Sequence, residues 1–282
     1  MGKIEDIVKE HYSVGDLAGL IVNGLKASGA DLDNLTIEDL AVVDEFHIGG
    51  RKATQYAISK MRLSGSDNVL DIGCGIGGAT RTIAAQTGCK VTGIDLTPEY
   101  VEVARTLTEL TRLDNKATFQ AASALEMPFN DKMFDAGITI HVAMKARDAL
   151  YREISRVMKP GANLCIYDVM KKGDEPITFP VPWAQTPESS HLVTPEQMAL
   201  LLTDAGFEII EVEDRTEVAV EFFKQSQAAA ADGPQALGVH LIMGPTAGEK
   251  LQNVRHNIAA QSLIKIITQR LPPYDYRRHS NA

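Results

Sequence analysis

The chain has few cysteines, one tryptophan and no long apolar run. Cys74, Cys89 and Cys165 stand far apart and outside any C-x-x-C or histidine-rich setting, so neither a disulfide framework nor a metal site is expected. No stretch approaches the roughly 18 apolar residues of a membrane span. The opening Met1-Gly-Lys-Ile-Glu-Asp carries no signal-peptide core, and Asp6 stands where a myristoylation signal wants Ser or Thr. Positive charge is scarce too: 28 Lys plus Arg face 37 Asp plus Glu, and the net −9 repels phosphate backbones. The expectation is a soluble, cytoplasmic chain that binds neither nucleic acid nor membrane. Apolar matter is ample, since 44% of the 282 residues are hydrophobic and can fill a full core.

Three textures follow one another, without an internal repeat. Residues 1–65 hold helical patterns such as Leu17, Leu20, Ile21 and Leu25, broken by Gly29 and Gly49-Gly50, and predict an N-terminal helical cap. From Asn68 to Asp168 short apolar runs alternate with amphipathic stretches: Asn68–Ile72, Ala79–Thr87, Val91–Asp95, Glu99–Arg112, Ala117–Ala121, Phe134–Ile140, Ala149–Met158 and Asn163–Asp168. That alternation predicts an α/β fold with a parallel sheet wound on both faces. Pro176, Pro180, Pro182 and Pro187 then exclude regular helix or central strand and predict an insertion over the strand ends. A helix at Pro195–Ala205, a strand at Phe207–Glu213, Ala-rich helical segments and an extended piece near Tyr274–Arg277 complete the reading. Residues 66–282 form the core, with insertions at about 170–195 and 216–270.

The strongest chemical signal is Val69-Leu-Asp-Ile-Gly-Cys-Gly-Ile-Gly-Gly78, an apolar strand running into glycines and then a helix. Glycine lets backbone approach a ligand closely. Gly73, Gly75 and Gly78 also satisfy the G-x-G-x-x-G spacing of nicotinamide-binding folds, with Asp95 at the end of the next strand to take a ribose hydroxyl. Asp71 separates the two readings, because a carboxylate before the turn repels a pyrophosphate and attracts an ammonium. A cationic nucleoside is the better expectation. A nicotinamide-dependent oxidoreductase is the weaker one, since no Tyr-x-x-x-Lys pair is present. A binding protein that keeps the pocket without turnover is a third.

These residues resemble the class I S-adenosylmethionine-dependent methyltransferases. Gly93-Ile-Asp-Leu-Thr-Pro-Glu-Tyr100 is similar to the motif whose acid holds the ribose diol and whose next residue packs on adenine, which implies those roles for Asp95 and Leu96. Ser123-Ala-Leu-Glu-Met-Pro-Phe129 resembles the adenine-edge segment and implies Ser123, Ala124 and Leu125, although the family usually has Asp at the first position. Phe134-Asp135 and Arg156-Val-Met-Lys-Pro-Gly161 resemble the fourth strand and the turn before the fifth. The resemblance implies a Rossmann-like, doubly wound, mostly parallel seven-stranded sheet, with a helical cap and a lid after the fifth strand. S-adenosylmethionine would be the cofactor and S-adenosylhomocysteine the product. Asp44–Thr54, His141-Val-Ala-Met-Lys145 and Phe179-Pro-Val-Pro-Trp-Ala184 further resemble the glycine, sarcosine and dimethylglycine N-methyltransferases. They imply a small amine acceptor such as sarcosine or dimethylglycine and allow a homodimer. Methylation at carbon, oxygen or sulfur of another small metabolite is the alternative.

In-line displacement at a sulfonium needs alignment, desolvation and an unprotonated nucleophile. The strand-end rule puts the site near Gly73–Gly78, Asp95, Ser123 and the residues after Ile140. His141 is the candidate base or positioning residue, with Ile140 beside the cofactor. Tyr12, His47, Arg51, Met144 and Trp183 are the candidate acceptor residues: Arg51 for a carboxylate, and Trp183 for its π face toward a methylated ammonium. The commoner alternative for each is packing or solvation. Cys74 reads as packing, and Gln227–Asp232 as a helix end before Gly233-Pro234.

Overall fold

A computed structural model describes residues 16–142, 145–230, 236–260 and 262–270. Tyr12, Met144 and the extended piece expected near Tyr274–Arg277 lie outside them.

Seven strands form one sheet in the order β3-β2-β1-β4-β5-β7-β6: β1 (Asn68–Ile72), β2 (Lys90–Asp95), β3 (Ala117–Ala121), β4 (Phe134–Ile140), β5 (Met158–Lys171), β6 (Glu208–Asp214) and β7 (Ser262–Arg270). The first five pair in parallel, whereas β7 runs antiparallel to both β5 and β6. β1 shows why a parallel strand reads as continuous apolar sequence. Val69 joins the core on one face and Leu70 and Ile72 the core on the other, all three at 0% exposure.

Helices cover both faces. Up to β6 they are α1 (Leu17–Ala27), α2 (Ile37–Asp44), α3 (Gly50–Met61), α4 (Gly78–Thr87), α5 (Pro98–Leu110), α6 (Arg147–Val157) and α7 (Pro195–Asp204). Ile58, Ile83 and Val101, from α3, α4 and α5, pack on the Val69 face. Leu150, Ile154, Met198 and Leu202, from α6 and α7, pack on the other. After β6 come α8 (Thr216–Ala230), the one-turn α9 (His240–Met243) and α10 (Ala247–Ala260). Helix α3 therefore packs on the sheet, although it falls within the 1–65 stretch read as cap. A separate cluster joins Leu17, Ile21 and Leu40 of α1 and α2 to Tyr100 and Leu107 of α5 and to Leu237 and Ile242 near α9.

Two differences from the sequence reading have physical causes. The last strand is Ser262–Arg270, at the end of the stretch taken as a second insertion. Its partners β5 and β6 are nearly a hundred and about fifty residues upstream, a pairing no local pattern reveals. Strand β5 begins at Met158, through the Lys-Pro-Gly taken as a turn, with a register shift between Phe134 and Ala136 absorbing the irregularity.

The Pro-rich segment after β5 is held by side chains of α10. Asn257, fully buried, accepts from Thr178 N and donates to Thr178 O, both at 2.9 Å, and Asn253 donates to Pro180 O at 2.9 Å. The Phe179–Pro180 peptide is cis.

Candidate active site

Strand order reverses between β1 and β4, and the crevice beyond their carboxyl ends is where ligands of open α/β sheets lie. Here the chain leaves β1 through Gly73, whose φ of +74° suits glycine. A Cβ on Gly73 would stand 2.6 Å from Val142 Cγ2. Gly73 N and Cys74 N both donate to Ile94 O, at 2.8 and 2.9 Å, binding the turn to β2. Asp95, at the end of β2, completes the lock: Oδ2 accepts from Gly75 N and Oδ1 from Thr97 N, both at 2.9 Å.

A cavity of about 600 Å³ opens there. Its lining includes Asp71, Gly73, Gly75, Asp95, Leu96, Ser123, Ala124, Leu125, Ile140, His141, His47 and Trp183, so residues spread over more than a hundred positions meet on one space. Asp71 is 2% exposed and accepts a 2.6 Å hydrogen bond from Thr80 Oγ1. Burial, then the nearby Asp95 and Glu45 charges, push its carboxyl up to about 7, against the pull of Thr80. Burial raises Asp95 as well, against the backbone amides that favour its charged form. Two carboxyls, Asp71 buried and Asp95 half-buried, face one cavity without a cation between them, which is a fit for a ligand bearing positive charge and a diol. Ser123 turns its hydroxyl to Leu125 N, at 3.2 Å.

Across the cavity stands His141, its backbone in the left-handed region at φ +54°. Its ring stacks on Tyr167, with centroids 5.5 Å apart and planes at 5°, and meets His47 edge-on at 6.0 Å. Nε2 is buried without a hydrogen-bond partner, and burial together with the neighbouring His47 pushes the imidazole down to about 3. The ring is neutral near pH 7, which removes the titration near neutrality expected of a histidine base. His47 Nε2 lies 3.2 Å from Gly50 O, 3.0 Å from Thr54 Oγ1 and 3.6 Å from Glu45 Oε2. Burial lowers its pKa too.

Two expected residues are not at the cavity. Gly78 is a packing position: a Cβ there would collide with the Asp44 carbonyl, so glycine lets α4 meet the end of α2. Arg51 points inward, donating from Nε to Glu45 Oε1 at 2.5 Å and from Nη2 to Ile37 O at 2.8 Å, with Asp44 at 3.5 Å. The buried pair Asp44 and Glu45 holds the guanidinium away from the cavity. Cys74 borders the cavity as a small residue whose thiol burial raises well above the ordinary range, consistent with packing.

Sequence reasoning missed Phe46, Tyr100, Val142, Pro182, Ile242, Met243 and Lys250, all at the cavity. Phe46 sits inside the Asp44–Thr54 motif and was passed over for its polar neighbours. Lys250 had a readable signal: it falls between Ala247 and Val254 on the apolar face of α10, a position that rarely takes a charge.

Comparison with known proteins agrees with this arrangement. Residues 69–161 match the family described as "Methyltransferase domain". The chain is 28% identical over 217 residues to the methyltransferase GfsG of Streptomyces halstedii, covering 75% of this chain and 74% of that one. It is 30% identical over 184 residues to the O-methyltransferase cnsE of Penicillium expansum, covering 64% and 66%. Among solved structures, the cyclase SpnF superposes with a TM-score of 0.66 at 24% identity, covering 92% of this chain and 94% of that one. The matched residues 69–161 carry the glycine turn, both cavity carboxyls and His141, and the chain is an enzyme of the S-adenosylmethionine-dependent methyltransferase class that transfers methyl groups from that donor.

Proposed function

We propose that the acceptor is a small, largely apolar metabolite and that the methyl group is placed on one of its hydroxyl oxygens. The observation that carries this reading is the wall beyond His141. Phe46, Val142, Pro182, Trp183, Ile242 and Met243 line the same cavity as His141, whose buried, neutral imidazole nitrogen has no partner. Apolar walls beside a neutral acceptor nitrogen suit a hydroxyl on an apolar body. The name of the relative cnsE, an O-methyltransferase, supports it. The amine acceptor implied by the flanking motifs has less behind it, because Arg51, the residue those motifs offered it, is held by Glu45 and Ile37 O and the cavity wall is largely apolar.

Donor binding falls to Asp71 for the ammonium, Gly73 and Gly75 for close backbone approach, Asp95 for the ribose diol, and Leu96 with Ser123–Leu125 around the base. S-adenosylmethionine supplies an electrophilic methyl on a sulfonium. His141 Nε2 accepts the acceptor's O–H hydrogen bond and aims an oxygen lone pair at that methyl; even this weakly basic nitrogen can take the proton, because the oxygen becomes a strong acid as it gains the methyl and the methyl–sulfur bond breaks. The Pro-rich segment with Pro182 and Trp183 serves as a lid that excludes water.

Two results test this. Asp95→Ala is expected to weaken S-adenosylhomocysteine binding by ~1–3 kcal/mol in calorimetric titration, because ribose hydroxyls and two backbone amides lose their acceptor; an unchanged dissociation constant refutes the assignment. His141→Asn keeps a side chain that tolerates the left-handed backbone. It is expected to lower kcat about 10²-fold on a hydroxyl acceptor while donor affinity holds. A screen of labelled donor against paired hydroxyl and amine acceptors decides the atom, and transfer to sarcosine or dimethylglycine alone overturns the hydroxyl reading.

A further inference from the structure

Helix α10 places a lysine where an apolar residue belongs. Lys250 is 6% exposed and borders the same cavity as Asp71, Asp95 and His141. Its Nζ makes one long hydrogen bond, to Met243 O at 3.4 Å, and no carboxylate among the described residues lies within ion-pairing distance. The other large buried cations are matched: Arg81 faces Asp44 at 2.9 Å and Arg147 faces Asp168 at 3.1 Å. An ammonium offers three donors and keeps its charge in a dry setting only at a cost that a counter-charge removes. A second donor without an acceptor borders this cavity as well, the buried indole N–H of Trp183.

We infer that Lys250 is the anion-binding residue of the site and that it pairs with a carboxylate brought in by what fills the cavity. The inference rests on the methyltransfer reading above. It adds a specificity element that the motif-bearing residues 69–161 do not contain. Two sources can bring that chemistry: the carboxylate on the methionine part of the donor, or one on the acceptor. In either case Lys250 recognises the group as a point charge and Trp183 offers a hydrogen bond to one of its oxygens.

The experiment compares the unaltered chain with Lys250→Met, which keeps the aliphatic stem, and with Lys250→Arg, which keeps the charge. Calorimetry uses S-adenosylhomocysteine and 5′-methylthioadenosine, which lacks the amino-acid part; benzoate is then titrated into the S-adenosylhomocysteine complex. If the donor supplies the carboxylate, Lys250→Met weakens S-adenosylhomocysteine about tenfold or more and leaves 5′-methylthioadenosine unchanged. If the acceptor supplies it, both nucleosides bind Lys250→Met normally, and the benzoate binding seen with the unaltered chain is lost. Lys250→Arg retains part of the lost affinity in either case. Unliganded Lys250→Met should melt no lower than the unaltered chain, which separates a lost ligand contact from a damaged fold. Equal affinities of Lys250→Met and the unaltered chain for both S-adenosylhomocysteine and benzoate overturn the inference. Failure of the unaltered chain to bind S-adenosylhomocysteine would count against the methyl-donor reading instead.

Discussion

Replacing Arg81 with methionine is expected to destabilise the protein by about 3–5 kcal/mol, the usual consequence of stranding one member of a buried ion pair. Arg81 is at 0% exposure on α4, and its guanidinium donates to Asp44 Oδ2 and Ile76 O at 2.9 Å, to Thr108 Oγ1 at 3.1 Å and to Ala104 O at 3.2 Å. It thus joins the end of α2 to α5 and to the residues just after the glycine turn. Without it, Asp44 keeps only Arg51, at 3.5 Å. Burial already holds the Asp44 carboxyl up at about 6, against the pull of Arg81. A raised folded-state pKa means that the native state holds this proton more firmly than the unfolded chain, so the group favours folding less as pH rises from about 4 through 6. Loss of Arg81 pushes that pKa higher still. The damage read from denaturant unfolding should therefore be larger at pH 8 than at pH 5. A companion Asp44→Leu, which removes the stranded charge, should recover much of it. A loss under about 1 kcal/mol, or one independent of pH, contradicts the account.

The second large effect concerns donor affinity and proton concentration. With Asp71 at about 7 in the donor-free protein, much of the carboxyl is protonated at neutral pH, and an arriving ammonium requires the charged form. Binding then releases a proton. S-adenosylhomocysteine should bind roughly tenfold more weakly at pH 6 than at pH 7.5, since a site titrating near 7 loses about tenfold per unit below that value. Asp71→Asn should bind weakly at both values and flatten the dependence. 5′-Methylthioadenosine, which has no ammonium, should not share it. A flat profile for S-adenosylhomocysteine with the unaltered chain would remove Asp71 from the ammonium site.

Much of the site was legible because its parts lie at strand ends in chain order. Asp71 before a glycine turn, Asp95 at the end of the next strand and His141 after β4 follow from strand-to-strand alternation, and all three reach one cavity. The misreadings share another cause. Arg51 was given to a ligand although Asp44 and Glu45 stand a turn or two before it; the acids were visible, but their burial was not. Gly78 satisfied a spacing rule that conformation and packing satisfy equally, and only the approach of the Asp44 carbonyl shows which applies. The strand Ser262–Arg270 and the cavity wall at Ile242, Met243 and Lys250 depend on contacts with residues far away in the chain, where periodicity is silent.

The clamp between Asn257 and the backbone of Thr178, with Asn253 on Pro180 O, has a consequence for engineering. The two polypeptide stretches it joins are a matched cassette. Grafting either one alone from a relative, in order to change what this catalyst accepts, would leave a fully buried amide facing a carbonyl in the wrong place. Specificity swaps should therefore exchange residues 172–190 and 247–260 together.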